Sequence, residues 1–271
     1  MDDIDRYLEE DLDNIGDITS DSLFSNEISK AHIIAKESCI IAGLDEAKIV
    51  FNKLGAELKF LVKDGDFVER DKNVAEINGP IRSILTGERL ALNFICKMSG
   101  IASETKKLID LCKSKNPKIK IAATRKTTPG FRKYEKKAVE IGGGESHRFG
   151  LFDSVMIKDN HIKQIGSIEK AIIKVHKKVT DKTIEVEVEN ETDAITAAKL
   201  NVDVIMLDNF SAKNAEIVSK KIRNINPRIL IEISGGINSK NIVKYAYFSD
   251  RISLGYLTHS IRSKNLSLEI L

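Results

Sequence analysis

A chain of 271 residues, 42% of them hydrophobic, can bury a sizeable core and has room for two domains. Its 43 basic and 40 acidic residues leave +3, which argues against binding nucleic acid through overall charge but allows a local basic pocket. No apolar run approaches the roughly 18 residues of a membrane span, the acidic opening MDDIDRYLEEDLDNIGD is the reverse of a signal or transit peptide, and Cys39, Cys96 and Cys112 form no C-x-x-C pair, so a soluble, cytoplasmic protein with free thiols is expected.

Residues 1–30 read as helical and acidic, with Gly16 and Asp17-Ile18-Thr19 as a turn or cap signal. AHIIAKESCIIAG (31–43) reads as strand. Residues 44–54 place apolar positions at helical spacing and stop at Gly55. Short strands over 57–85 are broken at Asp64-Gly65 and Asn78-Gly79-Pro80. A long helical pattern, GERLALNFICKMSGIASETKKLIDLC, follows, and a domain boundary is expected near residue 105. From about residue 118, β-branched runs alternate with helical stretches. The runs are IKIAAT, DSVMIK, TIEVEV, DVIMLD, RILIEIS and RISLG; the helices are expected at 162–178, 191–200, 211–224 and 239–247. A further strand around Ala138–Ile141 would make about seven. Such alternation implies parallel strands and an incomplete α/β barrel over 106–258. The tail 259–271 is expected to leave the barrel and join the first domain. An open doubly wound sheet is the structural competitor, weakened by the lack of a G-x-G-x-x-G or Walker-type lysine loop.

The chemistry collects behind the strands. In chain order stand Arg125-Lys126, Lys158-Asp159-Asn160-His161, Glu187 and Glu189, Asp208-Asn209, Ser234-Gly235-Gly236 and Gly255. In a parallel barrel these ends converge on one face. Glycines between a strand and a helix let backbone N–H groups approach an anion, and the last two strands are the usual phosphate site. An isolated Ser-Gly-Gly is more often a tight turn. Arg125, Lys126, His147, Arg148 and Lys158 form a group of cations suited to carboxylates or phosphates, and the bland alternative is a solvated basic face. Glu185, Glu187 and Glu189 share one face of their strand by the period of two. Carboxylates turned inward need cations, a metal or ligand hydroxyls beside them. The combination suits an anionic, hydroxyl-bearing, Mg²⁺-associated ligand such as a sugar pyrophosphate.

The stretch TRKTTPGFRKYEKKAVEIGGGESHRFGLFDSVMIKDNHI (124–162) resembles the central signature of the quinolinate phosphoribosyltransferase family, also called nicotinate-nucleotide pyrophosphorylase (carboxylating). IEVEVEN, VIMLDNF, IEISGGI and SLGYLTHS resemble its later blocks in order. TGERLALNFICKMSGIAS resembles the segment joining its domains, and EDLDNIGDITS its opening. The resemblance implies an N-terminal α/β sandwich domain (1–105, joined by the tail 259–271) followed by an incomplete α/β barrel. It implies transfer of phosphoribosyl from phosphoribosyl pyrophosphate to quinolinate with decarboxylation, in NAD biosynthesis, by a homodimer or higher homo-oligomer with shared active sites. Arg125, Lys126, His147, Arg148 and Lys158, with Arg89 supplied in trans, would receive the quinolinate carboxylates and the pyrophosphate. Glu187 and Asp208 would hold the ribose hydroxyls and Mg²⁺, directly or through water or substrate. Ser234, Gly235, Gly236 and Gly255 would cradle the 5′-phosphate. Within this set Lys126, Lys158, Glu187 and Asp208 are the residues expected at the reacting bonds. Ser146 stands where family members often carry Asn.

Three other readings are weaker. A related protein of molybdenum-transport operons shares the fold but lacks the intact lysine-bearing segment that IKDNH supplies here. A nicotinate phosphoribosyltransferase, handling one carboxylate, needs fewer cations. Residues 63–85 hint at a lipoyl-like carrier module, yet no lysine sits at an evident hairpin tip.

Overall fold

The computed structural model describes residues 2–271. The chain forms two compact units. The first takes the residues up to Glu104 together with Lys133–Gly142 and Ser260–Leu271; the second takes Thr105–Arg132 and Gly143–His259.

In chain order the elements are α1 (Asp3–Leu12), α2 (Ile18–Leu23), β1 (Ile28–Ala35), β2 (Cys39–Ile40), α3 (Leu44–Leu54), β3 (Glu57–Phe60), β4 (Phe67–Val68), β5 (Asn73–Pro80) and α4 (Ile81–Lys113). They continue with β6 (Lys120–Ala122), α5 (Arg132–Ile141), β7 (Val155–Ile157), α6 (Asp159–Ile165), α7 (Ile168–His176), β8 (Ile184–Val188), α8 (Glu191–Lys199), β9 (Val204–Asp208) and α9 (Ala212–Ile225). The last are β10 (Leu230–Ser234), α10 (Val243–Ala246), β11 (Arg251–Ser253), α11 (Tyr256–His259) and β12 (Leu266–Ile270).

The first unit is built on an antiparallel sheet of order β12-β1-β5-β3, with a separate β2-β4 pair. Along β1, Ala31, Ile33 and Ala35 are buried in alternation, the period of a half-buried strand. α3 buries Leu44, Ala47, Val50 and Phe51, a stripe at helical spacing. Its first amides, Gly43 and Leu44, donate to the Asp64 carboxylate at 3.2 and 3.1 Å. Gly55, at φ +86°, ends it, with its N–H returned to the carbonyls of Asn52 and Phe51.

The second unit is a parallel sheet of six strands, order β6-β11-β10-β9-β8-β7, covered by helices. Its helix-facing side carries Val186, Ile205, Ile231, Ile233 and Ile252 in the buried core. The opposite side is polar. Register pairs Glu187 with Met206, Met206 with Glu232, Glu232 with Arg251, and Arg251 with Lys120, so one row of side chains crosses five strands. One step further along, Asp208 pairs with Ser234.

The α/β class stands as expected, with a six-stranded parallel sheet in place of about seven strands. Ala138–Ile141 is the end of α5. Tyr134, Ala138 and Val139 are buried at helical spacing, and Gly142–Gly143 follow, so periodicity overrides the β-branched content. What lies beside β6 instead is a single bridge, Ala122 to Glu145. α5 also departs from the uninterrupted 106–258 barrel, since all but its first residue belongs to the first unit. There the Tyr134 ring meets Phe94 edge-on at 4.8 Å, and Lys137 reaches Asp45 at 3.1 Å and Glu46 at 2.9 Å. Among the described residues, no helix is long and apolar enough to cross a membrane.

Candidate active site

A cleft of about 380 Å³ opens at the carboxyl ends of the second unit's strands. β6 delivers Arg125 and Lys126, β7 delivers Lys158, β8 Glu187, β9 Asp208 and β10 Ser234, while His147 and Arg148 come from the loop before β7. All of these line the cleft. Gly235 and Gly236 continue from Ser234, and Gly255 follows the lining residue Ser253 by two positions. Arg89 does not line it. That residue sits on α4 in the first unit, its side chain 71% exposed and its nearest acid, Glu88, 4.0 Å away.

The cations are crowded. The Arg125 Nε is buried with no hydrogen-bond partner. Burial and the charge of Arg125 both push the Arg148 guanidinium down from its ordinary range. Lys158 Nζ forms a close ion pair with Glu187, so one lysine already bridges the cationic and anionic halves of the cleft. Lys126 is fixed at its backbone, its N–H donating to Thr124 Oγ1 at 3.1 Å and its carbonyl accepting from Thr258 Oγ1 at 2.7 Å.

The anionic half fits a divalent cation. Glu187 and Asp208 offer hard carboxylate oxygens, the donor type Mg²⁺ prefers. Burial, and then the charge of Glu187, hold the Asp208 carboxyl above its ordinary range. A cation shared between the two would relieve that repulsion. Asn209 Nδ2 donates to Asp208 Oδ2 at 2.6 Å and fixes the carboxylate plane.

The corner beside Ser234 is built of backbone. Gly235 and Gly236 both have positive φ, +85° and +61°, and a Cβ on Gly235 would lie 2.6 Å from the Asn209 backbone nitrogen. Only glycine lets the β10 loop pass this close to the β9 loop.

Below the rim lie lining residues that sequence reading did not single out for the site: Met156, Met206, Glu232 and Ser253. Each precedes a named or strand-end residue by two positions. The alternation of a strand therefore carried the signal. Glu185, the inward neighbour of Glu187, is buried beneath the cleft, and burial together with the charge of Glu232 pushes its carboxyl up to about 9. Glu232 is held below the ordinary carboxylate range: its burial opposes this, but the His147 hydrogen bond and the Arg251 guanidinium outweigh it.

Residues 17–99 match the family model described as quinolinate phosphoribosyl transferase, N-terminal domain, and residues 101–269 match the C-terminal domain of the same name. The chain belongs to the quinolinate phosphoribosyl transferase family. It is 42% identical over 259 residues to the probable nicotinate-nucleotide pyrophosphorylase [carboxylating] of Archaeoglobus fulgidus, covering 94% of this chain and 98% of that one. The corresponding protein of Methanocaldococcus jannaschii is 42% identical over 272 residues, with 98% and 95% covered. The solved structure of the nicotinate-nucleotide pyrophosphorylase from Francisella tularensis superposes with a TM-score of 0.92 at 39% identity, over 99% of this chain and 94% of that one. The two-unit architecture is thus that of the quinolinate phosphoribosyl transferase family from end to end.

Proposed function

We infer that this chain joins quinolinate to phosphoribosyl pyrophosphate, releasing pyrophosphate and CO₂ and leaving nicotinate mononucleotide, a step of NAD biosynthesis. The observation that carries the reading is the pairing of Arg125 and Arg148 in one cleft with Glu187 and Asp208. A dicarboxylate needs adjacent cations, and a ribose with a divalent cation needs adjacent carboxylates.

In this reading Arg125 and Arg148 grip the two ring carboxylates, with Lys126 and Lys158 toward the pyrophosphate. Ser234 and the amides of Gly235, Gly236 and Gly255 take the 5′-phosphate. Glu187 and Asp208 would face the ribose hydroxyls and would hold Mg²⁺. When bound, Mg²⁺ neutralises charge on the departing pyrophosphate. The pyridine nitrogen bonds to C1′ of the ribose as the C1′–O bond to pyrophosphate breaks, and Lys126 and Lys158 stabilise the charge that develops on the leaving oxygen. The carboxylates of Glu187 and Asp208 favour the cationic sugar that forms in passing. The carboxylate next to the pyridinium nitrogen then leaves as CO₂, and the electron pair left on the ring carbon is stabilised by that nitrogen until it takes up a proton. Positioning and electrostatics supply the rate, and no covalent link to the protein forms.

We further propose a homodimer or larger homo-oligomer in which Arg89 completes the partner's cleft. The free thiols Cys39, Cys96 and Cys112 support a reducing, cytoplasmic setting.

The test is to incubate the protein with quinolinate, phosphoribosyl pyrophosphate and Mg²⁺ and to follow nicotinate mononucleotide and CO₂. Product that requires all three is expected. Turnover with nicotinate and none with quinolinate would overturn the assignment of the base pocket.

A further inference from the structure

Barrels of parallel strands are usually filled by layers of branched apolar side chains. This one is filled, directly under the cleft, by Glu185, Glu232 and Arg251, all inward-facing by register or contact. The Glu232 side chain is 0% exposed. Its Oε2 accepts from Arg251 Nη1 at 2.9 Å and lies 3.2 Å from His147 Nε2. Glu185 Oε2 is 3.4 Å from the same ring nitrogen. Arg251 in turn donates from Nε to Glu145 at 3.0 Å. The chain of charges thus ends on one imidazole.

The other nitrogen of that ring is also engaged. The backbone N–H of Arg148 donates to His147 Nδ1 at 2.8 Å. A ring nitrogen that accepts a hydrogen bond carries no proton, so the proton sits on Nε2 and is donated to Glu232. With both nitrogens bonded inside the protein, and a side chain only 6% exposed, the ring presents no free donor to a substrate carboxylate. His147 Nε2 and the oxygens of Glu185 and Glu232 lie within 4.8 Å of one another, a spacing that would also suit a cation. The Arg251 guanidinium already meets that need at Glu232.

What the ring does hold is the backbone. His147 has φ +56°, a conformation that a non-glycine residue keeps only where its surroundings hold it. The next residue is Arg148. Its guanidinium reaches the Ser154 carbonyl at 3.4 Å and Met156 Sδ at 3.3 Å. Where its side chain starts, and the direction it takes into the cleft, follow from the turn at His147.

We propose that His147 is a positioning residue and not a member of the substrate-binding cations, and that Glu232 is the group that makes it one. Glu232 orients the imidazole, the imidazole holds the left-handed turn, and the turn aims Arg148 at a carboxylate of the dicarboxylate substrate. This rests on the quinolinate reading of the cleft for the identity of the carboxylate, though the tautomer does not depend on it.

The deciding measurement is the ¹⁵N spectrum of the imidazoles in the full-length protein, at neutral pH, with and without quinolinate alone. His147→Gln identifies the signal among the five histidines. The expected result is one protonated nitrogen, Nε2, and one unprotonated nitrogen, Nδ1, unchanged by quinolinate. A ring with both nitrogens protonated, free or on adding quinolinate, would overturn the proposal. A kinetic arm reads the consequence. Glu232→Ala should raise KM for quinolinate about tenfold or more while KM for phosphoribosyl pyrophosphate moves little. Glu232→Gln, which keeps an acceptor for Nε2–H, should recover most of the loss. Equal damage to both KM values, with no recovery in the Gln variant, would reduce Glu232 to a packing role. Turnover of the unaltered protein in the same preparation reports separately on the quinolinate reading.

Discussion

Gly235 shows how narrowly the site is drawn at the level of single residues. A Cβ there would lie 2.3 Å from Asn209 Oδ1 and 2.6 Å from the Asn209 backbone nitrogen, and φ is +85°. Gly235→Ala is therefore expected to cost about 1–3 kcal/mol of stability through strain. It should also raise KM for phosphoribosyl pyrophosphate more than KM for quinolinate, because in the proposed reading the displaced amides are those that take the 5′-phosphate. Thermal unfolding and steady-state kinetics check both, and an unaltered KM for phosphoribosyl pyrophosphate would remove Gly235 from the phosphate corner. The residues that gather at this cleft were legible in the chain because parallel strands deliver their ends to one face. Lys158, Glu187, Asp208 and Ser234 each stand at or near the end of a β-branched run. The layer beneath was less legible. Alternation puts Glu232 on the face of Ser234, but nothing in the local pattern says that it meets Arg251 and His147 there, since those partners come from other strands and loops. His147 reads as one of the cations in sequence, and its contacts with Glu232 and with the backbone N–H of Arg148 become visible only in the fold.

At the scale of elements, caps and glycines marked many boundaries. α3 stops where Gly55 follows, and Asp17 opens α2, its carboxylate accepting from the amides of Thr19 and Ser20 and from the Ser20 hydroxyl. Those bonds, the Ser20 hydroxyl first, hold the Asp17 carboxyl below the ordinary range. A carboxyl lowered by folding stabilises above its unfolded pKa and loses that contribution as pH falls through the folded value. Asp17→Ala should accordingly cost about 1 kcal/mol near neutrality, and the gap to the unaltered protein should close as the pH drops below about 4. A gap that persists unchanged into acid, in paired thermal melts, would mean the cap does not depend on the charge. Elsewhere local signals misled. AHIIAKESCIIAG reads as one strand, but Lys36–Ser38 separate β1 from β2. The helix expected at 162–178 is two, divided at Gly166, which takes φ +96°. α5 was read partly as strand because its partners, Tyr7 and Phe94, lie far away in the chain. No local window contains them.

At the scale of the molecule, Arg89 lies outside the lining of its own chain's cleft and is proposed to complete a partner's. If it serves the partner's site, two inactive proteins should complement one another. Arg89→Ala and Lys158→Ala chains, mixed under exchange, would form hybrid dimers with one intact cleft of two. Random pairing gives about a quarter of the full activity. No recovery, with exchange verified by mass, would place Arg89 outside the site. The two-unit architecture could be anticipated from the change of pattern near residue 105. The excursion of α5 into the first unit could not, because it depends on which buried surface Tyr134 finds.

The pairing of β12 with β1 joins Ala31 to Ile270 across nearly the whole chain. During synthesis the first unit therefore waits with an unfilled sheet position while the barrel residues emerge. β1 is stranded as an edge, its outward N–H and C=O groups open to any passing strand, until residues 266–270 clear the ribosome. The unit that begins first is completed last.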